Sequence, residues 1–249
     1  KHRRIKVRKL RGIYSQGLLI PAPNGAAPGD NVMDALGITR YEPEMHAKHC
    51  GITMGPQGAE APHPSLGNVP KYDLENWRRY SHLFIDDEEV YVTEKLHGTN
   101  ARYAWRDGRM WCGSRAQWKV QDARCLWWRV LDTEPWIVDW CMNNQDAVLY
   151  GEIFGQVQDL TYGAAKDQVW FRAFDVLRGG TFMSSLEFHE TDWDTWERHI
   201  ERVPLIYRGL YSVERMEELA VANSAFCPDQ LAEGVVIKPA EERYDIRLG

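Results

Sequence analysis

The sequence predicts an α+β fold built on antiparallel sheets with helices packed against them. Segments that alternate apolar and polar residues recur between residues 90 and 176, as is typical of strands, and Asp107-Gly108 predicts a tight hairpin between two of them. The tryptophan-rich stretch 120–144 has helical spacing and predicts two helices that cover the sheet. No Gly-x-x-x-x-Gly-Lys loop occurs, which excludes a P-loop, and the Gly-x-Gly-x-x-Gly motif of Rossmann domains is also absent.

Composition excludes several broad classes of protein. The chain has 249 residues, of which 44% are hydrophobic and 27% charged, as in soluble globular domains. No apolar run approaches the roughly 20 residues of a membrane span, and no apolar stretch follows the N-terminal Lys1, so we expect a cytoplasmic protein that binds no membrane. The five cysteines are odd in number and scattered, which favours reduced thiols over a disulfide framework.

The first residues are strongly basic although the net charge of the chain is −6. Seven cationic side chains precede the first acidic residue, Asp30. Four of them are candidate phosphate ligands, with a solvated strand face as the alternative: Lys6, Arg8, Lys9 and Arg11.

Residues 5–7 and 17–20 are predicted to form two strands joined by a loop at 11–17. Two strands cannot form a core, so residues 1–40 are predicted to be the C-terminal part of a small β-domain.

The residue composition and periodicity of the remaining chain divide it into two segments. Residues 41–68 are rich in Pro, Gly, Ala and His without periodicity, which predicts a linker or surface arm. Residues 69–249 carry regular patterns and are predicted to form the main domain. Its predicted elements are helices at 70–79, 120–144 (two, broken near Pro135) and 213–223, and strands at 90–93, 99–105, 109–112, 148–154, 168–176 and 234–237.

Lys95 holds an unusual place in this pattern. The apolar strand at 90–92 stops at Glu94-Lys95, and a Leu-His-Gly turn follows, so Lys95 is expected at a strand end that faces a cleft. A lysine amine has a reference pKa of about 10.4 and becomes a nucleophile only in a pocket that favours its neutral form. The alternative is an ordinary solvated lysine beside a turn.

Four further blocks place charged residues at the ends of apolar runs, or an aromatic and an acid side by side within one. They are Gly113-Ser-Arg115, Tyr150-Gly-Glu-Ile-Phe-Gly155, Phe171-Arg-Ala-Phe-Asp-Val176 and Glu233-Gly-Val-Val-Ile-Lys-Pro239. With Lys95 they supply a nucleophile, carboxylates for a divalent cation, cations for phosphates and an aromatic face for a base.

In this order, the blocks resemble the successive motifs of the covalent nucleotidyltransferase superfamily. The sequence is most similar to ATP-dependent RNA ligases of the RNA ligase 2 type, and His97 in Lys-Leu-His-Gly favours RNA ligases over DNA ligases, which usually have aspartate there. Residues 4–17 resemble the end of the oligonucleotide/oligosaccharide-binding (OB) domain of Naegleria-type RNA ligases. The resemblance implies an adenylyltransferase domain of antiparallel sheets preceded by the remnant of an OB β-barrel.

The resemblance also implies a role for each site residue. Lys95 attacks the α-phosphate of ATP and becomes lysyl-AMP. Glu152 and Glu233 hold Mg²⁺ or Mn²⁺, although the family also uses the first position for ribose and the sequence leaves both roles open. Lys238 binds phosphate and Phe174 stacks on adenine. The remaining nucleotide-binding positions are Glu94, His97, Asn100 and Arg115.

The implied reaction passes AMP from Lys95 to an RNA 5′-phosphate, from which an RNA 3′-hydroxyl displaces it. We expect a monomer whose basic N-terminal residues contact RNA. Two alternatives stay open: a DNA ligase or other nucleotidyltransferase, and a nucleic-acid-binding homologue without catalysis. The family pattern continues with a lysine-bearing strand that we do not find between Pro239 and Gly249, so residues 69–249 are expected to lack that strand.

Overall fold

In the computed structural model, the chain divides into two compact units, Lys1–His46 and Ala47–Gly249. The structure describes residues 8–10, 13–15, 21–37, 59–60, 66, 69–195 and 199–243. In the first unit, β1 (Arg8–Leu10) and β2 (Ile13–Ser15) form an antiparallel hairpin. The predicted strands 5–7 and 17–20 lie outside the described residues. Residues 13–15 were predicted as a loop and form a strand instead, which suits the β-branched and aromatic side chains of Ile13 and Tyr14.

The second unit contains two antiparallel sheets. Its strands are β3 (Ala59–Glu60), β4 (Glu89–Glu94), β5 (Thr99–Arg106), β6 (Arg109–Ser114), β7 (Trp118–Lys119), β8 (Ala147–Gly155), β9 (Val169–Arg178), β10 (Thr181–Phe182), β11 (Leu205–Leu210) and β12 (Val235–Pro239). Seven strands form one sheet in the order β10-β9-β8-β5-β6-β7-β3, and three form the other in the order β11-β4-β12. Its helices are α1 (Trp77–Tyr80), α2 (Leu126–Thr133), α3 (Trp136–Asn143), α4 (Ser185–Glu190) and α5 (Val213–Ala220).

The two tryptophan-rich helices pack on the large sheet. Trp127 of α2 and Trp140 of α3 are almost fully buried and share one core with Tyr103 of β5 and Phe171 of β9. Pro135 separates the helices, as predicted, because it cannot continue the hydrogen bonding of α2. The prediction of helices that cover an antiparallel sheet is confirmed.

The three-stranded sheet has one apolar face and one face that carries the predicted site residue Lys238. Val90 and Val92 of β4 lie in a core with Ile237 of β12. Their neighbours alternate to the opposite face, where Val236 lies opposite Thr93 and Lys238 opposite Tyr91. The second face lines a cavity between the two sheets.

Several elements differ from the sequence predictions. The helix predicted at 70–79 begins only at Trp77, because the carbonyls of Val69 and Pro70 accept hydrogen bonds from side chains of the large sheet and the segment stays extended. Ala59–Glu60 falls in the predicted linker and instead pairs with β7 as an edge strand. Strands β7, β10 and β11 and helix α4 were not predicted from the sequence.

The hairpin prediction at Asp107-Gly108 is confirmed, with φ values of 50° and 71° at the two residues. Among the described cysteines, Cys125, Cys141 and Cys227 are free thiols, as predicted. Among the described helices, none has both the length and the apolar composition needed to cross a membrane.

Candidate active site

A cavity of about 390 Å³ lies between the two sheets. The nine residues predicted to bind nucleotide or metal all line it: Glu94, Lys95, His97, Asn100, Arg115, Glu152, Phe174, Glu233 and Lys238. These residues come from strands β4, β5, β8, β9 and β12, from the loops that follow β4 and β6, and from the turn that precedes β12. The fold therefore gathers side chains that are separated by up to 144 positions, from Glu94 to Lys238, around one space.

Lys95 follows the last residue of β4, and the beginning of β12 holds its main chain. Its backbone N–H donates to the Gly234 carbonyl over 3.0 Å. Gly234 has a φ of +153°, a value that residues with a side chain rarely adopt, which accounts for glycine at this turn. The Lys95 ammonium donates to the Glu233 carboxylate, and its side chain is 43% exposed. The amine is thus reachable from the cavity and paired with one acid.

The turn after Lys95 lies close against strand β8. A Cβ atom on Gly98 would lie 2.0 Å from the carbonyl oxygen of Ile153, so only glycine fits there. The backbone N–H of His97 donates to the Tyr162 hydroxyl over 2.7 Å, and its ring Nδ1 lies 3.3 Å from Glu233 Oε2. These contacts hold the histidine beside the same carboxylate that pairs with Lys95.

Glu152 and Glu233 form the acidic part of the site. The pKa of Glu152 is raised from 4.5 to about 8, first by burial and then by the nearby Glu233 carboxylate, while Lys95 and a backbone hydrogen bond from Gly98 partly oppose this shift. A carboxyl group with such a pKa binds a proton readily and would exchange it for a cation. Two carboxylates supply the oxygen ligands that Mg²⁺ or Mn²⁺ prefers. No group of three or more His, Cys, Asp or Glu residues placed to hold a metal occurs in the described part of the chain.

Two cavity residues carry buried oxygens that lack a hydrogen-bond partner within the described residues. Glu94 is 3% exposed; its Oε2 accepts from the backbone N–H groups of Ala225 and Phe226 at 2.9 and 3.1 Å, while its Oε1 accepts from none. Asn100 Oδ1 is also unpaired. A buried acceptor without a partner is costly, so these atoms are suited to donors on a ligand.

On the side of the cavity formed by Phe174 and Lys238, an aromatic side chain lies next to a buried ion pair. Phe174 is partly buried and its ring lies 4.7 Å from the ring of Tyr72. The next residue, Asp175, is 1% exposed and accepts hydrogen bonds from the Lys238 ammonium and, over 2.8 Å, from the Tyr72 hydroxyl. Lys238 is therefore tethered within reach of the cavity by a carboxylate that water cannot reach.

Arg115 pairs with Asp73 at the edge of the cavity, and both side chains are more than half exposed. The predicted RNA contacts lie elsewhere in the chain. Lys6 and Arg11 fall outside the described residues, and only the backbone strand is described for Arg8 and Lys9. Their role in RNA binding stays a prediction.

Three site residues were not singled out from the sequence. Asp175 follows Phe174 in the block Phe171-Arg-Ala-Phe-Asp-Val176, where the signal in the sequence was an acid in the middle of an apolar strand. Tyr72 falls in the segment predicted as a helix. Tyr162, which supports His97 from a loop, has a φ of 53° that marks local strain, but no sequence pattern points to it.

Residues 88–248 match the sequence model of the family described as RNA ligase. The chain belongs to the RNA ligase family. It is thus an enzyme of the class that joins RNA ends, and that prediction is confirmed. No curated protein sequence matches the chain.

Solved structures of Naegleria gruberi RNA ligase share the fold. The structure with pyrophosphate has a TM-score of 0.66 and 22% identity, and the match covers 97% of this chain and 72% of that one. The structure of a lysine-to-alanine variant with ATP and Mn has a TM-score of 0.64 and 21% identity, and the match covers 96% of this chain and 72% of that one. The structure of a glutamate-to-alanine variant with AMP and Mn has a TM-score of 0.66 and 21% identity, and the match covers 97% of this chain and 73% of that one. The predicted nucleotidyltransferase fold of antiparallel sheets is confirmed, whereas the OB remnant stays a prediction.

Proposed function

We propose that this RNA ligase is ATP-dependent and that Lys95 is its covalent nucleophile. The observation that carries the proposal is the place of Lys95: it ends β4 at the edge of a cavity lined by all nine predicted site residues, in a chain whose residues 88–248 match the RNA ligase family. In the first step, the neutral amine forms a bond to the α-phosphorus of ATP, the bond to pyrophosphate breaks, and the amine gives up a proton.

Two further steps complete the reaction. An RNA 5′-phosphate oxygen attacks the lysyl-AMP phosphorus and releases Lys95, giving an RNA end capped by AMP through a pyrophosphate link. An RNA 3′-hydroxyl then attacks the 5′-phosphorus, AMP leaves, and a phosphodiester forms. Lys95 pairs with Glu233 as an ammonium, so it must leave this ion pair and lose a proton before the first step, because a protonated amine has no electron pair for attack.

The acidic pair fits a divalent cation. Glu152 and Glu233 would hold it, since Mg²⁺ is commonly bound by one or two carboxylates together with substrate phosphates and water. Such a cation would neutralise phosphate charge during transfer. Deprotonation of Glu152, whose pKa is raised to about 8, would accompany its binding. As an alternative to holding the cation, the Glu152 carboxylate would contact the ribose of ATP.

The cavity also offers the features that adenosine requires. Phe174 presents an aromatic ring for stacking, and the unpaired Glu94 Oε1 would accept a hydrogen bond from the adenine amino group. Guanine carries a carbonyl oxygen at the corresponding place, which a carboxylate oxygen repels. Asn100 and His97 would contact ribose or phosphate, and Lys238 and Arg115 would contact phosphates.

We further propose the partners and the arrangement of the chain. The substrate is RNA with 5′-phosphate and 3′-hydroxyl ends, contacted by Lys6, Arg8, Lys9 and Arg11, and the enzyme acts as a monomer in the cytoplasm, where it serves RNA repair. Residues 1–40 would be the end of an OB-like domain, a proposal that the antiparallel β1–β2 hairpin supports. Residues 69–249 would be the nucleotidyltransferase domain.

Covalent labelling tests the proposal. Incubation with α-labelled ATP and Mg²⁺ should leave an acid-labile label on the protein, as expected for a phosphoramidate, and Lys95→Ala should carry none. Lys166 provides the matched control, because it is exposed and does not line the cavity, so Lys166→Ala should label like the wild type. Label that persists on Lys95→Ala would refute the assignment. A wild type that takes no label, yet binds RNA, would favour the non-catalytic homologue.

A further inference from the structure

The extended segment before α1 carries a tyrosine that joins the two halves of the nucleotide cavity. Tyr72 lines the cavity between the sheets and also a second, adjoining cavity of about 690 Å³. It precedes residues 88–248, so the match to the RNA ligase family does not assign it a role. Its contacts, rather than any motif, indicate what it does.

Side chains of the large sheet hold this segment in place. The Tyr150 hydroxyl donates to the Pro70 carbonyl over 2.7 Å, and Arg102 Nη1 donates to the carbonyls of Val69 and Pro70 over 3.3 and 3.4 Å. Tyr150 is fully buried and Arg102 is 4% exposed, so these donors are fixed. Tyr72, two residues further on, is thereby held against the sheet.

The Tyr72 side chain then reaches two groups of the cavity. Its ring lies 4.7 Å from Phe174 and contacts Phe182 edge-on at 5.1 Å, so it supports the ring proposed to stack on adenine. Its hydroxyl donates to Asp175 Oδ2, the same oxygen that accepts from the Lys238 ammonium. The Lys238 nitrogen also lies 5.2 Å from the centre of the Tyr72 ring.

We propose that Tyr72 is a positioning residue that sets the place of the Lys238 ammonium through Asp175, and so tunes the hold of the enzyme on the phosphates of ATP. Without the Tyr72 hydroxyl, the buried carboxylate has one donor fewer and draws Lys238 towards itself, away from a bound phosphate. Burial and the Asp175 carboxylate raise the pKa of Tyr72 well above the ordinary tyrosine value, so the hydroxyl keeps the proton it donates. The inference rests on the proposed function, because it assigns Lys238 to phosphate binding.

Tyr72→Phe removes the hydroxyl and keeps the ring. We expect it to weaken ATP binding about 10-fold, the size of effect that a charge-assisted hydrogen bond supports, and to change adenosine binding less than about 2-fold. Adenosine is the informative probe because it carries the base and ribose without phosphate. Tyr207→Phe is the matched control, since its hydroxyl donates to the Leu210 carbonyl on β11 and Tyr207 lines neither cavity. It should leave both affinities unchanged.

A double-mutant cycle separates a positioning role from general damage. In a Lys238→Ala background, Tyr72→Phe should cause no further loss of ATP affinity, because the group it positions is absent. Asp175→Asn, which alters the link from its other end, should likewise mask Tyr72→Phe. Unchanged ATP affinity in Tyr72→Phe, an equal loss for adenosine and ATP, or losses that multiply in the Lys238→Ala background would each overturn the inference.

The binding comparison requires no covalent step, so it stands apart from the labelling test. Absence of label on the wild type would refute the proposed ligase chemistry, while the adenosine and ATP affinities would still decide the role of Tyr72. Conversely, a wild type that labels and a Tyr72→Phe variant that binds ATP equally well would leave the ligase proposal standing and refute the positioning role.

Discussion

Glu152→Gln should stabilise the metal-free protein at pH 8 and have little effect on its stability at pH 5. In the folded protein, the pKa of Glu152 is about 8, against 4.5 for an ordinary glutamate. Between these values the folded state binds more protons than the unfolded state, so the stability of the wild type falls as pH rises through this window. Glutamine resembles the protonated acid and cannot ionise, which removes this part of the pH dependence.

The size of the effect follows from the shift. About 3.5 pH units at about 1.4 kcal/mol each set an upper bound of about 5 kcal/mol, and partial access of water to the side chain reduces this to about 1–3 kcal/mol at pH 8. At pH 5, which lies only just above the ordinary glutamate pKa of 4.5, most of this difference has not yet accumulated, so the variant should differ from the wild type by less than about 1 kcal/mol.

Urea unfolding at both pH values, with EDTA present, measures these differences. Glu217→Gln, which alters an exposed glutamate of α5, is the matched control and should change stability by less than about 0.5 kcal/mol at either pH. Mg²⁺ or Mn²⁺ added at pH 8 should stabilise the wild type more than Glu152→Gln, since it binds the folded carboxylate. A gain for Glu152→Gln that is the same at both pH values would refute a titrating, buried Glu152.

The other predictions concern single steps of the proposed reaction. Glu233→Gln should slow self-labelling by ATP at least about 100-fold with little change in melting temperature, and a large fall in stability with normal labelling would show a structural role instead. Glu94→Gln should lower the ratio of ATP to GTP labelling, because the amide can donate to the guanine carbonyl; an unchanged ratio would place the base elsewhere. Phe174→Ala should cost about 2 kcal/mol of stability and weaken adenosine binding, measured by urea unfolding and titration, and unaltered adenosine binding would refute stacking. Neutralising Lys6, Arg8, Lys9 and Arg11 should weaken RNA binding and flatten its salt dependence while self-labelling stays normal, whereas a loss of labelling would place the segment at the ATP site.

The spacing of apolar residues was enough to predict the strands and helices in which that spacing repeats regularly. The strands around Lys95 and Glu152 were predicted close to their observed bounds, and two helices were correctly predicted on either side of Pro135, although the first begins at Leu126 rather than at residue 120. Strands β7 and β10 have two residues each, which is too short for an alternation of apolar and polar residues to be recognised. The segment at 70–76 has residues that suit a helix, but Arg102 of β5 and Tyr150 of β8 donate hydrogen bonds to the carbonyls at its start, those of Val69 and Pro70. Tertiary contacts of this kind override local propensity and are invisible in the segment itself.

Motif order predicted which residues would share a cavity, but it could not predict how they pair. Lys95 contacts Glu233, 138 residues away, and Lys238 contacts Asp175, 63 residues away. The register of β4 against β12 decides both pairings, because Glu94 lies opposite Val235 and Tyr91 opposite Lys238. A slip of one residue would turn Lys238 into the apolar core that Ile237 occupies and bring Ile237 to the cavity.

The cost of that slip explains why the site can depend on a strand at the edge of the described sheet. Placing the Lys238 ammonium among Val90 and Val92 would bury a charge without its Asp175 partner, which is far more costly than the loss of a few ladder hydrogen bonds. The apolar side chains of β12 therefore fix the register, and the register fixes the charged ones. The geometry proposed for catalysis at Lys95 thus depends on residues to which we assign no chemical role, and variants of Ile237 with a polar side chain should lose self-labelling and stability together.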